Sequence, residues 1–318
     1  VQPDLRILKY PPGRFLNLGP KSSNSFLTNF LLLIFEYANL RLINESVLAS
    51  VINGSANLLS SLALGTEVSI FSNSNNGVSH ARNFGISKSN SDLIALIDGD
   101  DLWETNHLEN LYKLYTSFPG CGLYATAYYK KYFNGRKIKP KYNGVSANHF
   151  GIINDYFSAS IYDSIAWSSA VLVPKKTFTK IGMFDEEMRS GQDTDLWVRI
   201  ALKESIAFSS SASSNKIILS PKYHLSYSLN RIDRLKLFEK FKAVVQPTNS
   251  FKKYMDLNRF SVAIERKVAN DYSNYRRLKK EINPLNLNFK QRLILNSPSA
   301  IIVLLKGLQN ILLRYNIY

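Results

Sequence analysis

Leu93-Ile94-Ala95-Leu96-Ile97 is an unbroken apolar run that stops at Asp98-Gly99-Asp100-Asp101. Apolar residues without alternation describe a strand covered on both faces, and such a strand needs helices packed on either side of its sheet. The same cue repeats around it. Glu67-Val68-Ser69-Ile70-Phe71 is β-branched and aromatic, hence a strand, and Gly77 to Ile86 reads as a helix. Leu102 to Tyr115 carries leucines at helical spacing, Ala166 to Val173 is strand-like, and Pro174 to Gly182 and Asp195 to Leu202 are helical. Phe30 to Phe35 is a buried strand or a helix turn. Alternating strands and helices imply a layered α/β fold. Beyond Lys222 the pattern is helical and interrupted by Pro247, Pro284 and Pro298.

Three segments carry chemistry. Asp98, Asp100 and Asp101 crowd the carboxyl end of the apolar strand, where open α/β sheets bind ligands. Like charges that close need a compensating positive charge. A hard divalent cation supplies it, and Mg²⁺ characteristically takes one or two carboxylates plus substrate phosphates. Gly99 lets a ligand approach the backbone. The competing reading is an acidic turn in which Asp101 caps a helix starting at Leu102. In the second segment, Asn76 to Gly85, small residues allow close packing. Arg82 there offers a fork of donors for phosphate or carboxylate, or else a surface salt bridge. In the third, Gly191-Gln192-Asp193-Thr194-Asp195-Leu196-Trp197, two aspartates open a helix, as the macrodipole alone would favour. Asp193 is otherwise a base at the mouth of a site, with Trp197 one turn on as a stacking wall.

Taken in order, these segments resemble glycosyltransferase family 2, the inverting enzymes of the GT-A fold. The resemblance rests on Asn76-Gly77-Val78-Ser79-His80-Ala81-Arg82-Asn83-Phe84-Gly85 and on the strand ending in Asp98-Gly99-Asp100-Asp101-Leu102-Trp103. It continues through Ile181-Gly182-Met183-Phe184-Asp185-Glu186 and Gly191 to Arg199, and covers about residues 67–208. It implies a mixed sheet flanked by helices, with Asp98 and Asp100 holding Mn²⁺ or Mg²⁺ on the diphosphate of a nucleotide sugar, UDP-sugar foremost. It places Arg82, Asp98, Gly99 and Asp100 on the nucleotide sugar, Asp193 as the catalytic base, and Gln192 and Trp197 on the acceptor. Gln192 stands where the family has glutamate, so Asp193 must take the proton alone. The tail, with Asn283-Pro284-Leu285-Asn286-Leu287, is similar to bacterial members that build surface polysaccharides. The acceptor then expected is a glycan or a lipid-linked saccharide.

The start departs from that pattern. No Pro-X-Tyr-Asn strand end precedes residue 50, and Asn53-Gly54-Ser55 is what remains of an Asp-Asp-Gly-Ser ending that contacts base and ribose. The expected organisation is residues 1–66 as a diverged or incomplete N-terminal part, 67–221 as the catalytic domain, and 222–318 as a basic helical extension. A catalytically impaired relative that binds or scaffolds is the alternative.

The net charge is +16, and from Lys222 on there are 19 Lys or Arg against 6 Asp or Glu. Such an excess attracts phosphates on lipid or nucleic acid, or is a solvated helical surface. The tail has no zinc spacing, helix-turn-helix signal or aromatic RNA-binding motif, so nucleic acid is not an expected partner. Ile301, Leu304, Leu305, Leu308 and Leu312 fall on one face of a final helix, with Lys306 and Arg314 elsewhere. That helix is expected to lie on the membrane surface or to pack on its own domain or a second subunit. A single cysteine, no signal-peptide pattern and no apolar run of the roughly 20 residues a span needs point to the cytoplasm, peripheral on the inner face of the cytoplasmic membrane.

Overall fold

The computed structural model describes residues 30–35, 76–98, 101–132, 135–218, 234–244 and 247–314. The expected strand at 67–71 lies outside them. Strand β1 (Phe30–Phe35) is followed by α1 (Val78–Lys88), β2 (Leu93–Asp98), β3 (Leu102–Trp103) and α2 (His107–Ser117). Then come β4 (Leu123–Tyr132), β5 (Lys137–Ile138), β6 (Phe150–Ile152) and the short α3 (Tyr156–Ala159). A 3₁₀ turn at Ser168–Ala170 leads into β7 (Val171–Pro174), α4 (Lys175–Ile181), α5 (Gln192–Ala201) and β8 (Ile206–Ile218). The C-terminal part is helical: α6 (Arg234–Lys240), α7 (Asn249–Val268), α8 (Tyr272–Glu281), α9 (Phe289–Asn296) and α10 (Ser299–Arg314).

The sheet runs β1-β2-β7-β4-β8-β3, with β5 on β4 and β6 on β8. Pairings β1–β2 and β4–β8 are parallel, and β2–β7, β4–β7 and β3–β8 are antiparallel. This is the mixed α/β sheet with a helical C-terminus expected for a GT-A fold. Strand β2 has a neighbour on each side, and Leu93 to Ile97 are all buried, as their lack of alternation requires. On the C-terminal helices, Phe251 and Tyr254 of α7 pack on Phe157 of α3, with ring centroids 4.9 and 5.5 Å away.

Two local expectations change. The helix expected from Leu102 begins at His107, because Leu102–Trp103 pairs with Asn215 and Ser214 of β8 as a strand. Asp101 therefore caps nothing there; the N-cap is Asn106. Instead the buried Asp101 carboxylate accepts from Ser169 Oγ (2.6 Å) and from the Ile217 N–H (3.1 Å), tying the acidic loop to β8.

His107 is wholly buried under Trp103, whose ring centroid is 4.5 Å away, and its Nδ1 shares a 2.7 Å hydrogen bond with Ser213 Oγ. Burial, which disfavours the imidazolium, pushes its pKa down from 6.5 to about 3. The folded state thus refuses a proton that the unfolded chain takes up below about pH 6.5. The contribution to stability is complete above that pH and shrinks as pH falls, by about 1.4 kcal/mol per pH unit down to about pH 3. Urea unfolding at about pH 7 and pH 4.5 should show roughly 2–3 kcal/mol of loss that is absent in His107→Gln. An equal loss in both proteins would show that other groups carry it.

Candidate active site

Helix α1 is built from small and polar residues, and Ser79, Arg82, Asn83 and Ile86 form its buried stripe at helical spacing. Asn83 clamps the loop after α4. Its Nδ2 donates to the Phe184 carbonyl (2.9 Å) and to Glu186 Oε1 (2.8 Å), and its Oδ1 accepts from the Phe184 N–H (3.0 Å). His80 adds a 2.8 Å contact to Glu186 Oε2. These bonds draw the segment before α5 onto α1, so that two motifs about 110 residues apart in sequence meet.

Arg82 is the meeting point. Its side chain is only 2% exposed, Nη2 donates to Asp98 Oδ1 at 2.8 Å, and Nη1 donates to Asp193 Oδ1. Its guanidinium also lies 5.0 Å from the centroid of the Phe184 ring. Burial pulls the Arg82 pKa down, but Asp193 and Asp98 outweigh it and the net direction is upward. Arg82 is therefore a permanent cation between the strand-end carboxylate and the helix-start carboxylate. It is not the surface salt bridge that its motif alone allowed.

The main chain holds Asp98 from below. The Asp98 N–H donates to Ser169 Oγ (2.9 Å), and that hydroxyl donates to Asp101. The Trp103 indole N–H donates to the Ser169 carbonyl at 2.7 Å. Asp193 lies in the first turn of α5, whose N-cap Gly191 has φ 83°, a left-handed conformation that suits glycine. Asp195 is fully buried; Arg199 donates to it through Nε (2.9 Å) and Nη2 (2.7 Å), and Lys240 of α6 is 2.8 Å away. Arg199 also donates to the carbonyls of Ile181, Gly182 and Met183, so Asp195 serves the framework.

The expected residues separate as follows. Arg82, Asp98 and Asp193 come together. Gln192 is next to them in sequence, and its Oε1 is buried with no hydrogen-bond partner among the described residues. Trp197 needs correcting: it is 2% exposed, packs edge-on to Phe184 with centroids 6.1 Å apart, and offers no face to an acceptor. The reason is the run Asp195-Leu196-Trp197-Val198, all buried, which covers α5 on more than one side. Asn53, Gly54, Ser55, Gly99 and Asp100 lie outside the described residues. Ser169 and Asn83 organise the site without having been singled out. Asn83 had a signal, its place one residue after Arg82 in the motif; Ser169 had none.

Among the described residues there is no group of three or more His, Cys, Asp or Glu that could hold a metal. Asp98 is a part-exposed carboxylate at the carboxyl end of β2, the oxygen donor type that suits a hard divalent ion bound by few protein oxygens.

Residues 50–181 match the family described as "Glycosyl transferase family 2". A protein of Rickettsia felis described as an uncharacterised glycosyltransferase is 28% identical over 140 residues, covering 43% of this chain and 21% of that protein. One from Rickettsia typhi with the same description is 23% identical over 179 residues, covering 53% of this chain and 51% of that protein. The chain thus spans about a fifth of the first relative and half of the second. Among solved structures, S. aureus TarS 1-349 has a TM-score of 0.42 at 12% identity, over 72% of this chain and 79% of that one. The TarS 1-349 complex with UDP has a TM-score of 0.41 at 14% identity, over 72% and 78%. Likeness at that level carries no weight for function. The sequence match is the informative one: residues 50–181 match glycosyl transferase family 2.

Proposed function

We propose that the protein transfers a sugar from a nucleotide-diphosphate sugar, UDP-sugar foremost, to a glycan or lipid-linked acceptor, with inversion, in surface-polysaccharide synthesis. The observation that carries this reading is the meeting of Asp98, Arg82 and Asp193 at the carboxyl end of β2. Asp193 accepts the proton of the acceptor hydroxyl as the oxygen attacks the anomeric carbon from the side opposite the diphosphate. Gln192 Oε1, buried and without a donor among the described residues, gains the hydrogen bond of an acceptor O–H, which relieves about 1–3 kcal/mol of unmet desolvation. Arg82 holds Asp193 and Asp98 in register. Asp98 and Asp100 would hold Mn²⁺ or Mg²⁺, which supplies Lewis-acid neutralisation of the leaving diphosphate.

Thermal unfolding with a set of nucleotide sugars tests the reading. A UDP-sugar with Mn²⁺ should raise the melting temperature, by about 2.7 kcal/mol of added stability at one hundred times Kd. Excess chelator or Asp98→Ala should remove the shift. A shift that survives both would rule out the metal-linked donor site, and a shift without any turnover would favour the impaired relative.

The proposed location is the inner face of the cytoplasmic membrane. Among the described residues no helix is long and apolar enough to cross a membrane. On α10, Ile302 is buried, while Ile301, Val303, Leu304, Leu305 and Leu308 are exposed. Phe289 and Leu293 of α9 are exposed as well. The Leu312 side chain lies outside the described residues. From Ile282 on the sequence has four basic residues and no acidic one. An apolar helix face with basic neighbours suits an anionic lipid surface. Vesicles of phosphatidylglycerol should bind the full chain, and Leu304→Glu/Leu308→Glu should weaken binding at least about tenfold, or 1.4 kcal/mol. Unchanged binding, or a dimer that the same double variant breaks, would assign the face to protein contact.

A further inference from the structure

Tyr162 is an exposed aromatic side chain, 69% exposed, and it lines two clefts. One, of about 440 Å³, is lined by Lys139 and Lys141. The other, of about 230 Å³, lies against the C-terminal helices and is lined by Lys253, Asn288 and Gln291. The larger falls within the roughly 300–1,000 Å³ usual for ligand clefts. No Asp or Glu is among the described residues that line either one. The three lysines are exposed, and none is in an ion pair among the described residues.

The platform is held in place. The Lys141 N–H donates to Asp163 Oδ2 (2.9 Å), and the Asp163 N–H donates to the Lys141 carbonyl (3.2 Å). Lys130 pairs with the same carboxylate, so its charge is already compensated. Tyr162 and the cleft wall therefore form one fixed unit. In the second cleft, Asn288 and Gln291 spend their side-chain oxygens on each other's backbone N–H groups in a capping box. Their NH₂ groups remain as donors. The described residues lining the two clefts thus offer ammonium and amide donors and no carboxylate, the nearby Asp163 being taken up by Lys130 and the Lys141 N–H. The chemistry that matches is a ligand with an apolar ring face and anionic oxygens.

Tyr162 is seven residue steps before Ser169, whose hydroxyl accepts from the Asp98 N–H. Fully extended, those steps span at most about 25 Å, so the platform is within a few saccharide units of the strand end. We infer that the paired clefts around Tyr162 bind an anionic glycan chain, one sugar stacked on the ring and its phosphates or carboxylates on Lys139, Lys141 and Lys253. This rests on the transferase reading only in calling that glycan the acceptor.

Calorimetric titration with oligosaccharides of equal length tests it: a phosphorylated mannan fragment, an oligogalacturonate and a neutral dextran fragment. At least one anionic chain should bind at least about tenfold more tightly than dextran, and less tightly as salt rises. Preference between the two anionic probes tells phosphate from carboxylate. Tyr162→Ala and Lys139→Gln/Lys141→Gln/Lys253→Gln should each lower that affinity about tenfold or more, with unchanged melting temperature. Equal affinity for dextran, or wild-type affinity in both variants, overturns the proposal. The donor-induced thermal shift is read separately on the same protein. Glycan binding without that shift keeps the cleft and discards the transferase reading; the shift without glycan binding does the reverse.

Discussion

Replacing Asp98 and Asp193 together by asparagine is expected to destabilise the protein by about 3–5 kcal/mol, well beyond the sum of the two single changes. Arg82 is 2% exposed, while the carboxylates on it are 27% and 35% exposed. The expensive member of the cluster is thus the cation, and the water-facing carboxylates are its compensation. One aspartate left in place still neutralises it, so each single variant should lose only about 1 kcal/mol, as a partly exposed pair does. Removing both takes away the two carboxylates described on a buried cation. Adding Arg82→Met to the double variant should recover most of the loss, because an apolar side chain of similar length needs no counter-charge. Urea unfolding of the wild type and these four variants decides the matter. Simple additivity would mean that the guanidinium is compensated elsewhere.

The single variant Asp193→Asn should be folded and nearly inactive. Amide for carboxylate keeps the shape and the hydrogen bond to Arg82 but removes the proton acceptor. Turnover on the proposed acceptor should fall by roughly 10²–10⁴-fold, the usual worth of a positioned general base. The donor-induced thermal shift should stay within about twofold in Kd, since Asp98 is untouched. Asp195→Asn makes the contrast. Asp195 is fully buried and bound by Arg199 and Lys240, so its loss should appear first as lower stability. Normal turnover in Asp193→Asn would move the base to another residue.

The layered α/β fold was legible in the sequence because burial leaves a local mark. Leu93 to Ile97 lack alternation, and β2 has neighbours on both sides. The acidic strand end and the paired aspartates of α5 were equally plain, since charges at the ends of elements are local features. Asp195 with Arg199 was readable too, from helical spacing alone. What the sequence could not settle was direction and partnership across distance. Trp197 was one turn from Asp193 and looked available; packing under Phe184 decided otherwise, although the contiguous Leu196-Trp197-Val198 run already hinted at a helix covered all round. Asp101 looked like a cap until β3 paired with β8 and delayed the helix to His107. Arg82 had two plausible lives, one on the surface and one on a phosphate. Only the folding of α1 against the loop before α5 put it between Asp98 and Asp193, because an ion pair spanning 111 residues leaves no periodicity to read. Ser169 is the extreme case. Nothing marks one serine among many until the 3₁₀ turn places its hydroxyl between the Asp98 N–H and the Asp101 carboxylate.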